Sequence, residues 1–180
     1  MEEYNFGEEY HKDRRIEDKH YIITNHLLTL FPGIKSSYEL GCGLGFWVHC
    51  LRYYGVDACG TDISSYCVDN AFGKSKGMVK QDIPEGNFDL VLSMDVLEHL
   101  SKREIDLYIN TLFDKSKKYI FVSVCSAEFW NVYDDPTHIT KRPMFWWKRQ
   151  FAIRGGTIVE LPKDFLYGDQ MFLVKVGGAS

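Results

Sequence analysis

Three acidic residues and two histidines stand where their spacing suits chemistry. Glu39 closes a short apolar segment and leads into Leu40-Gly41-Cys42-Gly43-Leu44-Gly45, a turn with glycine at every second position. A glycine-rich turn between a strand and a helix lets backbone approach a ligand at the helix N-terminus, where free N–H groups point outward. Asp62 lies 21 positions after Gly41, the interval at which the next strand of a β-α-β unit brings a carboxylate to a ribose. Such a carboxylate accepts hydrogen bonds from both ribose hydroxyls; the competing reading is that Asp62 caps a helix opening at Ser64 or Ser65. Asp82 ends a third short segment, Gly77 to Gln81. His99 and His138 are the candidate proton acceptors, because an imidazole of pKa about 6.5 is neutral at working pH.

These groups need a frame, and the pattern supplies one. Apolar positions Ile16, Ile23, Leu27, Leu30 and Phe31 describe an amphipathic helix from Arg15 to Phe31 that Pro32-Gly33 stops. Strands are expected at Ser36 to Glu39, Val56 to Thr61, Phe88 to Met94 and Lys118 to Val124, with a helix from Phe46 to Tyr54 ended by Gly55. The run Phe88-Asp89-Leu90-Val91-Leu92-Ser93-Met94 is apolar enough for a central parallel strand buried on both faces. Ser101-Lys102-Arg103-Glu104 is a capping box opening the next helix. Cys125 to Thr140 lacks periodicity and is longer than most connections, as functional loops are. A last helix is expected from Thr140 to Phe151, then strands at Thr157 to Leu161 and Gln170 to Val176. The whole reads as one domain, 1–180. Its parts are an N-terminal segment and helix (1–31) that could close as a lid, a cofactor-binding half (36–124) and an acceptor-side half (125–180).

Composition narrows the function. The 180 residues are 45% hydrophobic and 15% aromatic, enough for one full core. A formal net charge of −4 argues against a surface built to neutralise nucleic-acid phosphates. No apolar run reaches a membrane-spanning length, and the acidic Met1-Glu2-Glu3-Tyr4-Asn5 is unlike a secretion signal, so a cytoplasmic protein is expected. The five cysteines, Cys42, Cys50, Cys59, Cys67 and Cys125, form no C-x-x-C pair and read as reduced, buried side chains.

The glycine spacing also selects the ligand. A dinucleotide fingerprint would place its third glycine at Phe46. What stands here, Glu39-Leu40-Gly41-Cys42-Gly43-Leu44-Gly45, resembles the first motif of the class I, Rossmann-like S-adenosylmethionine-dependent methyltransferases, and Gly60-Thr61-Asp62-Ile63-Ser64 resembles their second. Phe88-Asp89-Leu90-Val91 with Asp95-Val96-Leu97-Glu98-His99-Leu100, and Asp134-Asp135-Pro136-Thr137-His138, are similar to segments of the small-molecule branch. The resemblance implies a three-layer α/β/α sandwich around a seven-stranded, mostly parallel sheet of order 3-2-1-4-5-7-6, the last strand antiparallel. It also implies a cofactor site of Glu39, Gly41, Cys42, Gly43, Asp62, Ile63, Asp82, Ile83 and Met94. Glu39 would answer the cofactor's amino group, Asp82 the adenine amino group and the Ile83 backbone a ring nitrogen. The product would be S-adenosylhomocysteine.

The acceptor is read as a small molecule, a sugar or secondary metabolite methylated on oxygen or nitrogen, with Tyr10, Trp130 and Tyr133 lining its pocket. The run Lys163-Asp164-Phe165-Leu166-Tyr167 would shape the rim. The segments that mark methylation of base amines or pyrimidine carbon, Asn or Asp before Pro-Pro-Tyr and Pro-Cys, are missing. A basic surface of Lys141, Arg142, Lys148, Arg149 and Arg154 would instead favour a protein or RNA substrate. A non-catalytic cofactor-binding protein is the third reading. Asp134, Asp135 and His138 have the atoms for a divalent ion, but acids before proline more often close turns, and no metal is assigned. The assembly expected is a monomer or homodimer.

Overall fold

The computed structural model describes residues 6–129 and 135–177. They fold as two compact units, Met1–Gly86 and Asn87–Ser180, whose strands make a seven-stranded sheet of order β3-β2-β1-β4-β5-β7-β6.

In the first unit the strands are β1 (Ser36–Leu40), β2 (Asp57–Thr61) and β3 (Val79–Lys80). β1 pairs parallel to β2, with Ser36 opposite Asp57 and Leu40 opposite Thr61, and β2 pairs parallel to β3. Parallel pairing puts the carboxyl ends of β1 and β2 side by side, so Gly41 and Asp62 leave the sheet at the same edge. The helices are α1 (Glu8–His11), α2 (Asp18–Leu30), α3 (Phe46–Tyr53) and α4 (Ser65–Asp69). α2 starts three residues later than its apolar period suggests. Glu17 and His20 form a capping box there, the Glu17 N–H donating to His20 Nδ1 at 3.0 Å. Ile23 and Leu27 of α2, Tyr38 of β1, and Val48, Cys50 and Leu51 of α3 form this unit's core.

The second unit contains β4 (Phe88–Met94), α5 (Lys102–Lys115), β5 (Ser116–Ser123), α6 (Met144–Ala152), β6 (Thr157–Val159) and β7 (Met171–Lys175). β4 and β5 are parallel, whereas β7 runs antiparallel to both β5 and β6. Leu90, Val91, Leu92 and Met94 are all buried, as a central strand requires. The Ser101–Glu104 capping box is present, the Ser101 N–H donating to Glu104 Oε2 at 2.7 Å. Met94 pairs with Ser123 and Ser123 with Met171. That register gathers Asp95 to His99, Cys125 onward and the 160–170 connection at one edge of the sheet.

Helix α6 corrects the expected start at Thr140. Thr140 donates its N–H to the Glu98 carbonyl at 3.0 Å and its hydroxyl to the Leu100 carbonyl at 2.6 Å, so it is held in the loop. The helix begins at Met144, with Pro143 in extended conformation at its N-cap. Phe165, expected at a rim, is buried and packs edge-on against Phe121 at 6.0 Å. All five cysteines are free thiols; four are buried and Cys59 is half-buried. No helix of the described residues is long and apolar enough to cross a membrane.

Candidate cofactor and acceptor sites

In the first unit the site is made largely of backbone. Gly41, Gly43 and Gly45 have φ of 75°, 53° and 73°, the left-handed region that side chains rarely adopt. A Cβ on Gly45 would stand 2.7 Å from Ser75 Oγ and 2.9 Å from Val79 Cγ2, so this glycine is needed for packing as well. The N–H groups of Gly41 and Cys42 both donate to the Thr61 carbonyl, at 2.8 and 2.9 Å, tying the loop to the end of β2. Asp62 completes the tie. Its Oδ2 accepts the Gly43 N–H at 2.7 Å and its Oδ1 the Ser64 N–H at 2.9 Å. Each carboxylate oxygen keeps acceptor capacity beyond one hydrogen bond, so Asp62 can hold the loop, satisfy the Ser64 N–H ahead of α4 and keep capacity for further donors.

Around this loop lie three groups that spacing alone did not rank. His11, on the short helix α1, is buried, and its ring lies 3.4 Å from the point where a Gly43 side chain would begin. Its Nδ1 has no hydrogen-bond partner among the described residues. Burial holds the His11 imidazole below its ordinary 6.5, with Asp62 opposing and Arg14 reinforcing the shift. Gln81 donates its amide to the Ile63 carbonyl at 2.8 Å and so links the loops after β2 and β3. Ile63 is 81% exposed and Ile83 49% exposed. Asp82 is exposed beside them, while Glu39 and Cys42 are buried. Tyr10 packs in an aromatic group with Phe6 and His11, at 5.0 and 4.9 Å, under the Arg14 guanidinium.

In the second unit the site is made of side chains. Asp95, directly after β4, has φ 55°, a strained value for a residue with a side chain. Its Oδ1 accepts a hydrogen bond from Ser123 Oγ. A single 3-10 turn, Leu97–His99, then presents Glu98 and His99. Glu98 is fully buried; Oε1 accepts the Cys125 N–H at 2.9 Å, and its backbone carbonyl accepts the N–H groups of Ile139 and Thr140. Burial, with Asp95 and then Asp135 nearby, pushes the Glu98 carboxyl up to about 8.

The loop before α6 folds onto this turn. His99 Nδ1 lies 2.8 Å from Thr137 Oγ1 and 3.2 Å from the Thr137 carbonyl. Thr137 in turn donates its hydroxyl to Asp135 Oδ1 at 2.6 Å. Because that hydroxyl proton is committed and a carbonyl only accepts, His99 Nδ1 is the donor, and the basic lone pair of the neutral ring is on Nε2. Against the effect of burial, the hydrogen bonds from Thr137 hold the Asp135 carboxyl below its ordinary range. The rings of His99 and His138 meet edge-to-face at 4.7 Å, and His138 Nε2 lies 3.7 Å from Asp135 Oδ2.

Residues 17–161 match the profile of a family described as "Methyltransferase domain", four-fifths of the chain. The chain belongs to the class I S-adenosylmethionine-dependent methyltransferases. No curated protein sequence matches it. Among solved structures, it is similar to magnesium protoporphyrin IX methyltransferase from Synechocystis PCC 6803 with bound S-adenosylhomocysteine, at 17% identity and TM-score 0.66, covering 90% of this chain and 85% of that one. An S-adenosylmethionine-dependent methyltransferase from Clostridium acetobutylicum gives 14% identity and TM-score 0.71, covering 95% and 96%. One from Archaeoglobus fulgidus gives 18% and 0.65, covering 93% and 97%. At these identities the likeness concerns the fold.

S-adenosylmethionine is the cofactor of this family, and the methyltransferase's first unit fits it on its own geometry: a left-handed glycine loop, a carboxylate with spare acceptor capacity and two exposed isoleucines. Among the expected residues, Glu39, Gly41, Cys42, Gly43, Asp62 and Ile63 belong to β1, β2 and the turns that follow them. Asp82 and Ile83 follow β3, and buried Met94 ends β4 in the second unit. His99 and His138, separated by 38 intervening residues of chain, are brought into ring contact. Trp130, Tyr133 and Asp134 lie outside the described residues. Glu98 was passed over in the sequence, although an acid inside an apolar run just before a histidine was the available signal. His11 is, with Phe6 and Tyr10, one of the possible contacts that the polar and aromatic segment 1–14 offers in the sequence, which gives it no specific role.

Proposed function

We propose that this methyltransferase moves a methyl group from S-adenosylmethionine to an oxygen or nitrogen of a small molecule, of the sugar or secondary-metabolite class. The observation that carries the reading is the polar cluster of buried Thr137 with half-buried His99, Asp135 and His138, set at the strand edge that also holds the 160–170 connection. The cofactor supplies a methyl group already made electrophilic by its sulfonium, so the protein has to align, desolvate and take a proton. Glu39, Gly41, Cys42, Gly43 and Asp62 bind the methionine and ribose portions. Ile63 and Ile83 enclose the adenine, Asp82 receives its amino group, and Met94 adds apolar contact. His11 covers the glycine loop as part of a lid made by the N-terminal segment. The Thr137–Asp135 pair fixes His99 in the tautomer whose Nε2 can take the acceptor's proton, and His138 shares that task.

A macromolecular substrate is less well supported because the basic residues near α6 are partly engaged. Arg154 reaches Asp106 and Asn110, Lys148 lies 3.5 Å from Glu160, and Arg142 stacks over Trp146 at 5.4 Å. Free thiols at all five cysteines suit a reducing, cytoplasmic compartment, with the enzyme acting as a monomer or homodimer. Labelled methyl from S-adenosylmethionine, offered with sugars, phenols, amines, peptides and RNA, tests the assignment. Label in a small-molecule product is expected; label confined to peptide or RNA would overturn it.

A further inference from the structure

Among the described residues, two groups of three side chains bring metal-binding atoms within 4.8 Å of one another: His11, Asp62 and Cys67 in the first unit, and Glu98, His99 and His138 in the second. The first is a poor site. Burial pushes the Cys67 thiol up to about 12, so it is a protonated and weak ligand, and both Asp62 oxygens already accept backbone N–H groups.

The second has two imidazoles in place of the thiol and a carboxylate oxygen, Glu98 Oε2, that accepts no hydrogen bond among the described residues. We propose that Glu98, His99 and His138 hold a divalent first-row transition cation. A carboxylate with two imidazoles is a donor set that suits zinc, manganese, iron or cobalt and leaves coordination positions open. An independent observation points the same way. Glu98 is 0% exposed, yet its Oε2 has no hydrogen-bond partner among the described residues. The bond from the Cys125 N–H explains why Oε1 is buried but leaves Oε2 unexplained. An unsatisfied buried carboxylate oxygen is costly, and a cation held jointly with two neighbouring imidazoles would satisfy it.

Metal-binding histidines commonly have the other ring nitrogen held by an oxygen, which His99 shows by hydrogen bond and His138 approaches through a nearby carboxylate. His99 Nδ1 meets Thr137, and His138 Nε2 lies 3.7 Å from the Asp135 carboxylate. Two metal bonds of about 2.1 Å place donors at most ~4.2 Å apart. The donor atoms, all within 4.8 Å of one another, are thus close to the separation that a shared cation requires.

Cation binding does not depend on the methyltransferase reading, but its consequence does. A bound cation lowers the pKa of a hydroxyl that it binds. The acceptor is then a small molecule presenting one hydroxyl or two adjacent ones. The O–H proton passes to solvent, the methyl goes to that oxygen, and the cofactor leaves as a neutral thioether. With their lone pairs given to the cation, His99 and His138 act as ligands, and activity then requires metal. Activity that persists after chelation would return them to the role of bases.

The test is calorimetric titration of Mn²⁺ and of Zn²⁺ into untagged full-length protein cleared with chelator, with electron paramagnetic resonance of bound Mn²⁺. The wild type is expected to bind one ion. Glu98→Gln keeps an acceptor for the Cys125 N–H, and His138→Ala leaves Glu98 in place; each should weaken binding at least ~10-fold. Unchanged circular dichroism in either variant is enough to read the result. No binding by the wild type, or equal binding by a folded variant, would overturn the proposal. S-adenosylhomocysteine titrated into the same samples keeps the two readings apart, because its binding tests the cofactor site alone.

Discussion

The glycine loop with Asp62 and the Glu98–His99–His138 cluster are built on opposite principles. The first comes from two short stretches of chain, and most of its hydrogen bonds are backbone donors meeting one carbonyl and one carboxylate. The second is drawn from residues 98 to 138, depends on side chains, and buries a carboxyl group that burial pushes up to about 8. A backbone site tolerates exchange of neighbouring side chains and suits the part of the reaction that does not vary, the cofactor. A side-chain site is specific to its residues and suits the part that varies, the acceptor.

That contrast predicts separable losses. Replacing His138 by Ala should lower methyl-transfer turnover by at least ~10²-fold while leaving S-adenosylhomocysteine affinity unchanged in calorimetry. Equal turnover of variant and wild type would remove His138 from the reaction. Asp62→Ala should do the reverse, weakening cofactor affinity about 10- to 100-fold, as the loss of charge-assisted hydrogen bonds worth roughly 1.5–3 kcal/mol implies. If Asp62→Ala binds the cofactor normally, the ribose assignment is wrong.

The next effect falls on stability. Gly45→Ala places a Cβ at φ 73°, against Ser75 and Val79, and should cost at least about 1–2 kcal/mol of unfolding free energy from the left-handed backbone alone. A denaturation midpoint equal to the wild type's would show that the loop can relax.

The smallest effect is one of pH. His49 Nδ1 accepts the Lys74 N–H at 2.9 Å, and Nε2 lies 2.9 Å from the Tyr21 hydroxyl, an arrangement for the neutral ring. Burial, and then Lys74, hold this imidazole below its ordinary 6.5. With the folded pKa below the unfolded one, the stabilisation is complete above about pH 6.5 and is lost as pH falls through the folded pKa. The thermal midpoint should therefore fall more steeply below pH 6.5 in wild type than in His49→Gln; parallel curves would assign the acid sensitivity elsewhere.

The same contrast explains what could be read from the chain. β1, the glycine turn, α3 and Asp62 are contiguous or fixed by one β-α-β interval, so local pattern sufficed. The start of α6 was misplaced because Thr140 is held by the carbonyls of Glu98 and Leu100, about 40 residues away, which no helical period reports. Glu98 has no role assigned by the sequence pattern, and only the fold shows it enclosed. His11 acquires meaning solely through α1 packing against α4, which sets its ring on Gly43.

The most direct test of the account is parallel calorimetric titration of the purified protein with S-adenosylmethionine, S-adenosylhomocysteine and NAD. The glycine spacing, Asp62 and the family assignment predict binding of both sulfur compounds and no response to NAD. Binding of NAD, or silence from both sulfur compounds, would contradict it.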